Sequence, residues 1–211
     1  MITGFLTIGI LQTLAVICPG PDFAIVVKNT LNFSRRAGII TTLGITSGIL
    51  FHLTYCLLGF AILLHKFPFL FTIVKFLGCG YLIYVGICEL LSSPPPAPSS
   101  GDNQNITASS QQFSYQQVFR QGLLCNMLNP KAALFFIGLF TLVVNPTTPH
   151  YVQISYGIEI LIITFLWFFT LSFLLSHHQI APRIRRFQGV ISKAMGLLLI
   201  IFGARLAFVC I

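Results

Sequence analysis

Ile17-Cys18-Pro19-Gly20-Pro21-Asp22-Phe23 interrupts an apolar stretch that runs from about Ile2 to Val27. Proline removes an amide donor and glycine loosens the backbone, so a helix opens at such a point. The stretch is nevertheless long enough to cross a bilayer, which takes about 20 mostly apolar residues. A second break of the same kind, Asn129-Pro130-Lys131, lies inside the apolar stretch from about Val118 to Val144.

Composition sets the solvent. Hydrophobic residues are 55% of the 211-residue chain and charged residues 8%, with a mean hydropathy of +0.89. A soluble domain carries about 25% charged residues, so this chain lacks the charge to cover a surface in water. Its length holds about six membrane helices and no sizeable soluble domain. The net charge of +8 sits at segment ends, where it sets membrane orientation, and nucleic acid is not expected as a partner. Six scattered cysteines, with no C-x-x-C pair, argue against a disulfide framework. The N-terminus lacks a basic n-region and a small-residue cleavage site, so the first stretch reads as a retained helix.

Further spans are expected from about Gly38 to Leu64, Phe67 to Leu91, Tyr151 to Leu175, and Val190 to the C-terminus. The reading is thus an all-α membrane protein of six transmembrane helices. Residues 1–91 form a first three-helix unit, 92–117 a disordered cytoplasmic linker, and 118–211 a second unit. The linker contains Pro94-Pro95-Pro96 and many Ser, Gln and Asn residues, and so cannot bury apolar surface. Its Asn105-Ile106-Thr107 sequon is discounted as a chance match. Short basic loops are expected around Lys28, Arg35 and Arg36, and from His177 to Phe187. With both termini periplasmic, most Lys and Arg fall on the cytoplasmic side, and only Lys66, Lys75 and Arg205 fall near the other face.

The two units resemble one another. Gln12 precedes Pro21-Asp22-Phe23-Ala24 by nine residues, and Gln121 precedes Pro130-Lys131-Ala132-Ala133 by nine. Ile73-Val74-Lys75-Phe76-Leu77-Gly78 is echoed by Ile191-Ser192-Lys193-Ala194-Met195-Gly196. Three spans per unit place adjacent units in opposite orientations. An inverted 3+3 repeat with Pro-broken first and fourth helices is the pattern of a secondary transporter, with its substrate site at the breaks.

Candidate site residues follow. Asp22 offers a counter-charge for an ammonium, and Lys131, beside a half-helix N-terminus, offers one for a carboxylate. A zwitterionic amino acid presents both groups; a structural Asp22–Lys131 pair is the alternative. Gln12, Asn126 and Asn129 are polar groups near the breaks, free to bind substrate or to satisfy opened backbone. Glu159 in the fifth span and His52 in the second are proton-coupling candidates together with Asp22. Glu159 near an interface and His52 as a packing histidine are the plainer alternatives. No metal-ligand spacing occurs, His177-His178 included, and no cofactor is expected.

Cys18-Pro19-Gly20-Pro21-Asp22, followed by Arg35-Arg36-Ala37-Gly38 and Leu43-Gly44, resembles the LysE/RhtB family of amino-acid exporters. So do Gly78-Cys79-Gly80-Tyr81-Leu82-Ile83-Tyr84, the segment from Gly122 through Asn126, Asn129, Pro130 and Lys131 to Phe136, and Gly203-Ala204-Arg205-Leu206. The resemblance spans nearly the whole chain outside 92–117. It implies a transporter rather than an enzyme: efflux of amino acids or their derivatives, driven by the proton gradient, across a bacterial inner membrane. The family's motif residues fall on Pro19, Gly20, Pro21, Asp22, Asn126, Asn129, Pro130 and Lys131. A small-molecule amino-acid substrate, membrane lipid and a second copy of the chain in a homodimer are the partners considered. The competing readings are a channel and a membrane thiol–disulfide carrier using Cys18 and Cys125. Those cysteines are out of register in the repeat, Cys18 matching Met127 and Cys125 matching Val16.

Overall fold

The computed structural model describes residues 2–66, 68–91, 114–145 and 148–175, with scattered positions from 190 to 204. The described residues are helical, without strands. The helices are α1 (Ile2–Ile17), α2 (Pro21–Asn32), α3 (Arg35–Lys66), α4 (Pro68–Leu91), α5 (Tyr115–Met127), α6 (Pro130–Val143) and α7 (His150–Leu175). Linker residues 92–113, the basic loop 177–187 and most of the expected sixth span lie outside the described residues.

Both breaks fall where the sequence places them. α1 and α2 bend by 53° across residues 18–20, and α5 and α6 bend by 55° across 128–129. Each later half-helix opens with its proline at the first helical position, where a missing N–H costs no hydrogen bond. Asn129 caps α6, its Oδ1 accepting the Lys131 amide at 3.0 Å. α3 and α7 are each long and apolar enough to cross a membrane, and each bent pair meets that test when taken together. The described helices thus supply two spans, or up to four with the pairs counted; the full six-span count reaches beyond them.

The first basic loop is shorter than expected. Lys28 lies within α2 and Arg35 and Arg36 open α3, leaving Phe33-Ser34 as the connection. Ser34 Oγ accepts the Ala37 amide at 3.2 Å, a local cap that lets α3 start three residues early. Likewise α5 starts at Tyr115, inside the stretch read as linker.

α7 shows which solvent the fold is built for. Ile154, Ile158, Ile162 and Leu166, four residues apart, are about half exposed. Val152, Tyr156, Ile160, Thr164 and Phe168, on the opposite face, are buried. A helix that is apolar on both its buried and its exposed face belongs in lipid.

α3 packs on α5 and α7, α1 on α7, and α4 on α6. The α3–α5 crossing is close enough to need glycine. A Cβ on Gly44 would strike the Phe119 carbonyl, and one on Gly122 the Thr41 carbonyl. Small residues permit such backbone approach where no hydrophobic effect drives helices together. Gly122→Leu is therefore expected to cost at least ~3 kcal/mol through overpacking, read as lost thermal stability in detergent. Gly59→Ala, where an added Cβ meets nothing within 4 Å, is expected to stay within about 0.5 kcal/mol of wild type.

Candidate functional site

The two breaks meet. Asn126, in the last turn of α5, donates from Nδ2 to Asp22 Oδ2 in the first turn of α2, at 2.8 Å. The Cys125 thiol lies near the same carboxylate. Lys131 Nζ, in the first turn of α6, reaches back to Cys18 Sγ at 3.6 Å. Each half of the chain thus places one ionisable group against the other half's break.

Helix dipoles treat the two charges differently. Asp22 sits at the positive end of α2, which favours a carboxylate. Lys131 sits at the positive end of α6, which disfavours an ammonium and favours an anion beside it.

A cavity of about 80 Å³, taken as space open to water-molecule centres, lies at this junction. By that measure it has room for roughly six waters, the bulk of a small metabolite. Gln12, Gly20, Pro21, Asp22, Asn126, Asn129 and Lys131 all line it. Pro19 and Pro130 do not: Pro19 lies in the break between α1 and α2, and Pro130 opens α6.

Three buried acceptors around the cavity lack partners: Gln12 Oε1, Asp22 Oδ1 and Asn126 Oδ1. The other ends of these side chains are held. Gln12 Nε2 donates to Thr164 Oγ1 at 2.8 Å, and Thr164 Oγ1 donates to the Ile160 carbonyl at 2.9 Å. A buried polar atom without a partner costs ~1–3 kcal/mol, so three at one cavity call for a donor-rich group.

His52 lies outside the cavity lining. It is buried, its ring 5.6 Å from that of Phe136, which does line the cavity. Its Nε2 is 3.0 Å from the Asn126 carbonyl and its Nδ1 is 2.8 Å from Tyr55 Oη. A carbonyl only accepts, so the hydrogen-bond network assigns the proton of neutral His52 to Nε2 and makes Nδ1 the acceptor from Tyr55. If both nitrogens carry protons, the Tyr55 hydroxyl can turn to the Ala133 carbonyl, 3.4 Å away. His52 can therefore accept a proton without losing a hydrogen bond.

Glu159 is placed elsewhere. It faces α1, where a Cβ on Gly9 would lie 3.1 Å from its Oε1, and its Oε2 is buried without a partner. Sequence reasoning missed Thr164, Tyr81 and the apolar wall of the cavity. Only pairing across the fold marks them out: Thr164 has nothing in α7 to distinguish it until Gln12 is set against it.

Fold and site together define a helical membrane protein that crosses the bilayer more than once and holds a polar cavity at its helix breaks. The chain belongs to the LysE type translocator family, matching it over residues 13–209. It is 30% identical over 198 residues to the uncharacterised membrane protein YrhP of Bacillus subtilis, covering 92% of this chain and 94% of the relative. It is 29% identical to the uncharacterised membrane protein YahN of Escherichia coli, covering 97% and 88%. It is 31% identical to the leucine efflux protein of Salmonella typhimurium, covering 91% and 89%. No solved structure matches the chain.

Thr164→Val removes the acceptor of Gln12 Nε2 and is expected to destabilise the protein by ~1–3 kcal/mol, whereas Thr164→Ser keeps it near wild type. Thermal unfolding of the purified variants in one detergent checks the difference.

Proposed function

We propose that this protein exports amino acids from the bacterial cytoplasm across the inner membrane, by alternating access coupled to proton antiport. One observation carries the reading: three unpartnered acceptors and a lysine surround a single cavity where the two broken helices meet. An amino-acid ammonium has three N–H donors for Gln12, Asp22 and Asn126. An amino-acid carboxylate complements Lys131 and the α6 N-terminus. Membership of a translocator family, and relatives named leucine efflux protein, support the same reading.

Pairing between helices supports two inverted three-helix units. α1 packs on α7 as α5 packs on α3, and α2 touches α5 and α7 where α6 touches α1 and α3. In this reading the units rock about the cavity, and the substrate meets each side in turn.

Antiport needs proton and substrate to exclude each other. Asp22 supplies that exclusion. Ionised, its Oδ1 accepts from the substrate ammonium; protonated, it loses its counter-charge and presents a donor to a donor. His52, bonded to the backbone of the residue that bonds Asp22, is the proton's next station, and Glu159 lies apart from this chain. Both termini are periplasmic in this scheme, in keeping with the basic residues at segment ends.

Asp22→Asn is expected to abolish efflux from cells preloaded with labelled amino acids while leaving membrane insertion intact; wild-type efflux in that variant would sink the role given to Asp22. In proteoliposomes, substrate-driven proton movement should vanish in Asp22→Asn and persist in Glu159→Gln. Coupling lost only in the glutamate variant would move the proton site to the α1–α7 seam. The thiol-carrier alternative predicts that Cys18→Ser/Cys125→Ser is inactive. The exporter reading expects that double variant to retain export within about threefold of wild type, since serine hydroxyls make the same hydrogen bonds.

A further inference from the structure

We infer that the cavity selects amino acids with small, uncharged, aliphatic side chains, and that Val85 is a residue that sets their size. This rests on the export reading above and adds the identity of the substrate.

The charge inventory is the first ground. Among the described residues lining the cavity, the charged side chains are Asp22 and Lys131. Any amino acid occupies both with its own ammonium and carboxylate. A second cation, as in lysine, has no second carboxylate in the described lining; Glu159 faces Gly9 on α1 instead. A second anion, as in glutamate, finds no second ammonium there. An unpaired charge in an apolar enclosure is among the costliest things to bury, so both classes are rejected without any steric device.

The neutral polar inventory is the second ground. The buried unpartnered polar atoms of the lining are the three acceptors already matched to the substrate ammonium; Asn129 and Tyr81 are further polar side chains of the lining, on the side of Lys131. Thr164 is engaged with Gln12 and the Ile160 carbonyl. A side-chain amide or hydroxyl would enter the remaining space and leave its own groups unsatisfied, at ~1–3 kcal/mol each.

That remaining space is apolar on every side. Phe23 of α2, Ile49 of α3, Val85 of α4, Phe136 of α6 and Phe168 of α7 are all buried and all line it. Leu199 closes it from the C-terminal segment. Five helices contributing buried hydrocarbon to one volume make a side-chain pocket rather than a passing patch of core. The size of the whole cavity favours a few carbons: roughly six waters' worth of space has to hold the ammonium and carboxylate as well, which leaves room for a short branched or linear aliphatic chain and not an indole.

Val85 is the adjustable wall. It lies one helical turn beyond Tyr81, which also lines the cavity and feels the charge of Lys131. It thus stands past the end that takes the substrate carboxylate, where the side chain must go. It is also the smallest of the hydrocarbon side chains named here.

The test is efflux from cells, or from proteoliposomes holding the full chain, with labelled leucine, valine, alanine, phenylalanine, lysine and glutamate. The wild type is expected to move leucine and valine at least ~10-fold faster than lysine or glutamate, the scale on which an unmatched group is rejected. Val85→Phe is expected to cut leucine efflux ~10-fold while sparing alanine, and Val85→Ala to raise phenylalanine relative to leucine. Alanine efflux in Val85→Phe, and the milder Val85→Ala, keep the result independent of a folding defect. Lysine or glutamate moved as fast as leucine would overturn the inference and leave the export reading standing. Unchanged leucine-to-alanine and phenylalanine-to-leucine ratios in the two variants would overturn it as well. Failure to move any amino acid would overturn the inference and the export reading together.

Discussion

In hydrocarbon every backbone N–H and C=O must find a partner within the protein, and two proline breaks in the middle of spans violate that rule twice. The fold answers by bringing the breaks together and enclosing them. Asn126, from the end of α5, bonds Asp22, at the start of α2. The Asn129 side chain caps α6. The helices around them, α3 and α7, are hydrocarbon outside and threaded inside with Thr41, Thr42, His52, Thr164 and Ser172, all buried. All four of those hydroxyls bond the carbonyl four residues back in their own helix, so they add no unsatisfied group of their own to the interior.

The two breaks are alike in backbone and opposite in charge. Both present a half-helix N-terminus, a favourable place for an anion. In α2 the anion is built in, as Asp22. In α6 the corresponding position holds Lys131, a cation against the dipole. An arrangement optimised for stability alone would not place an ammonium there. It is consistent with a site completed by a ligand carboxylate beside the Lys131 ammonium and the positive end of α6.

The breaks and the charges beside them were legible in the sequence because proline, glycine and ionisable residues are rare inside apolar runs. Pro21, Asp22, Pro130 and Lys131 each stood out for that reason, and their symmetric spacing predicted that they would converge. Lys28 and Arg35 were read as loop because basic residues mark span ends, but the local Ser34 cap carries the helix through Arg35. The apolar wall was illegible for the opposite reason. Phe136 and Phe168 look the same in sequence as Phe165 and Phe173, because lipid and cavity reward the same side chains. Only the packing of five helices separates one set from the other.

Of the seams that join the halves, α3–α5 and α1–α7 differ in what they contain. α3–α5 is close at the backbone around Gly44 and Gly122, and Asn29 ties it further by donating to both Thr41 Oγ1 and Gln121 Oε1 at 2.9 and 3.0 Å. α1–α7 also relies on glycine, with Gly4 under the Tyr156 hydroxyl and Gly9 under the Glu159 carboxyl. A backbone-to-backbone contact tolerates little sliding, since interiors are close-packed. A side chain resting over glycine can shift its rotamer. In the rocking cycle proposed above, the α3–α5 seam would serve as the pivot and the α1–α7 seam as the side that yields. Asp22 and Lys131 lie at the cavity between them, where a small rotation reaches both charges at once.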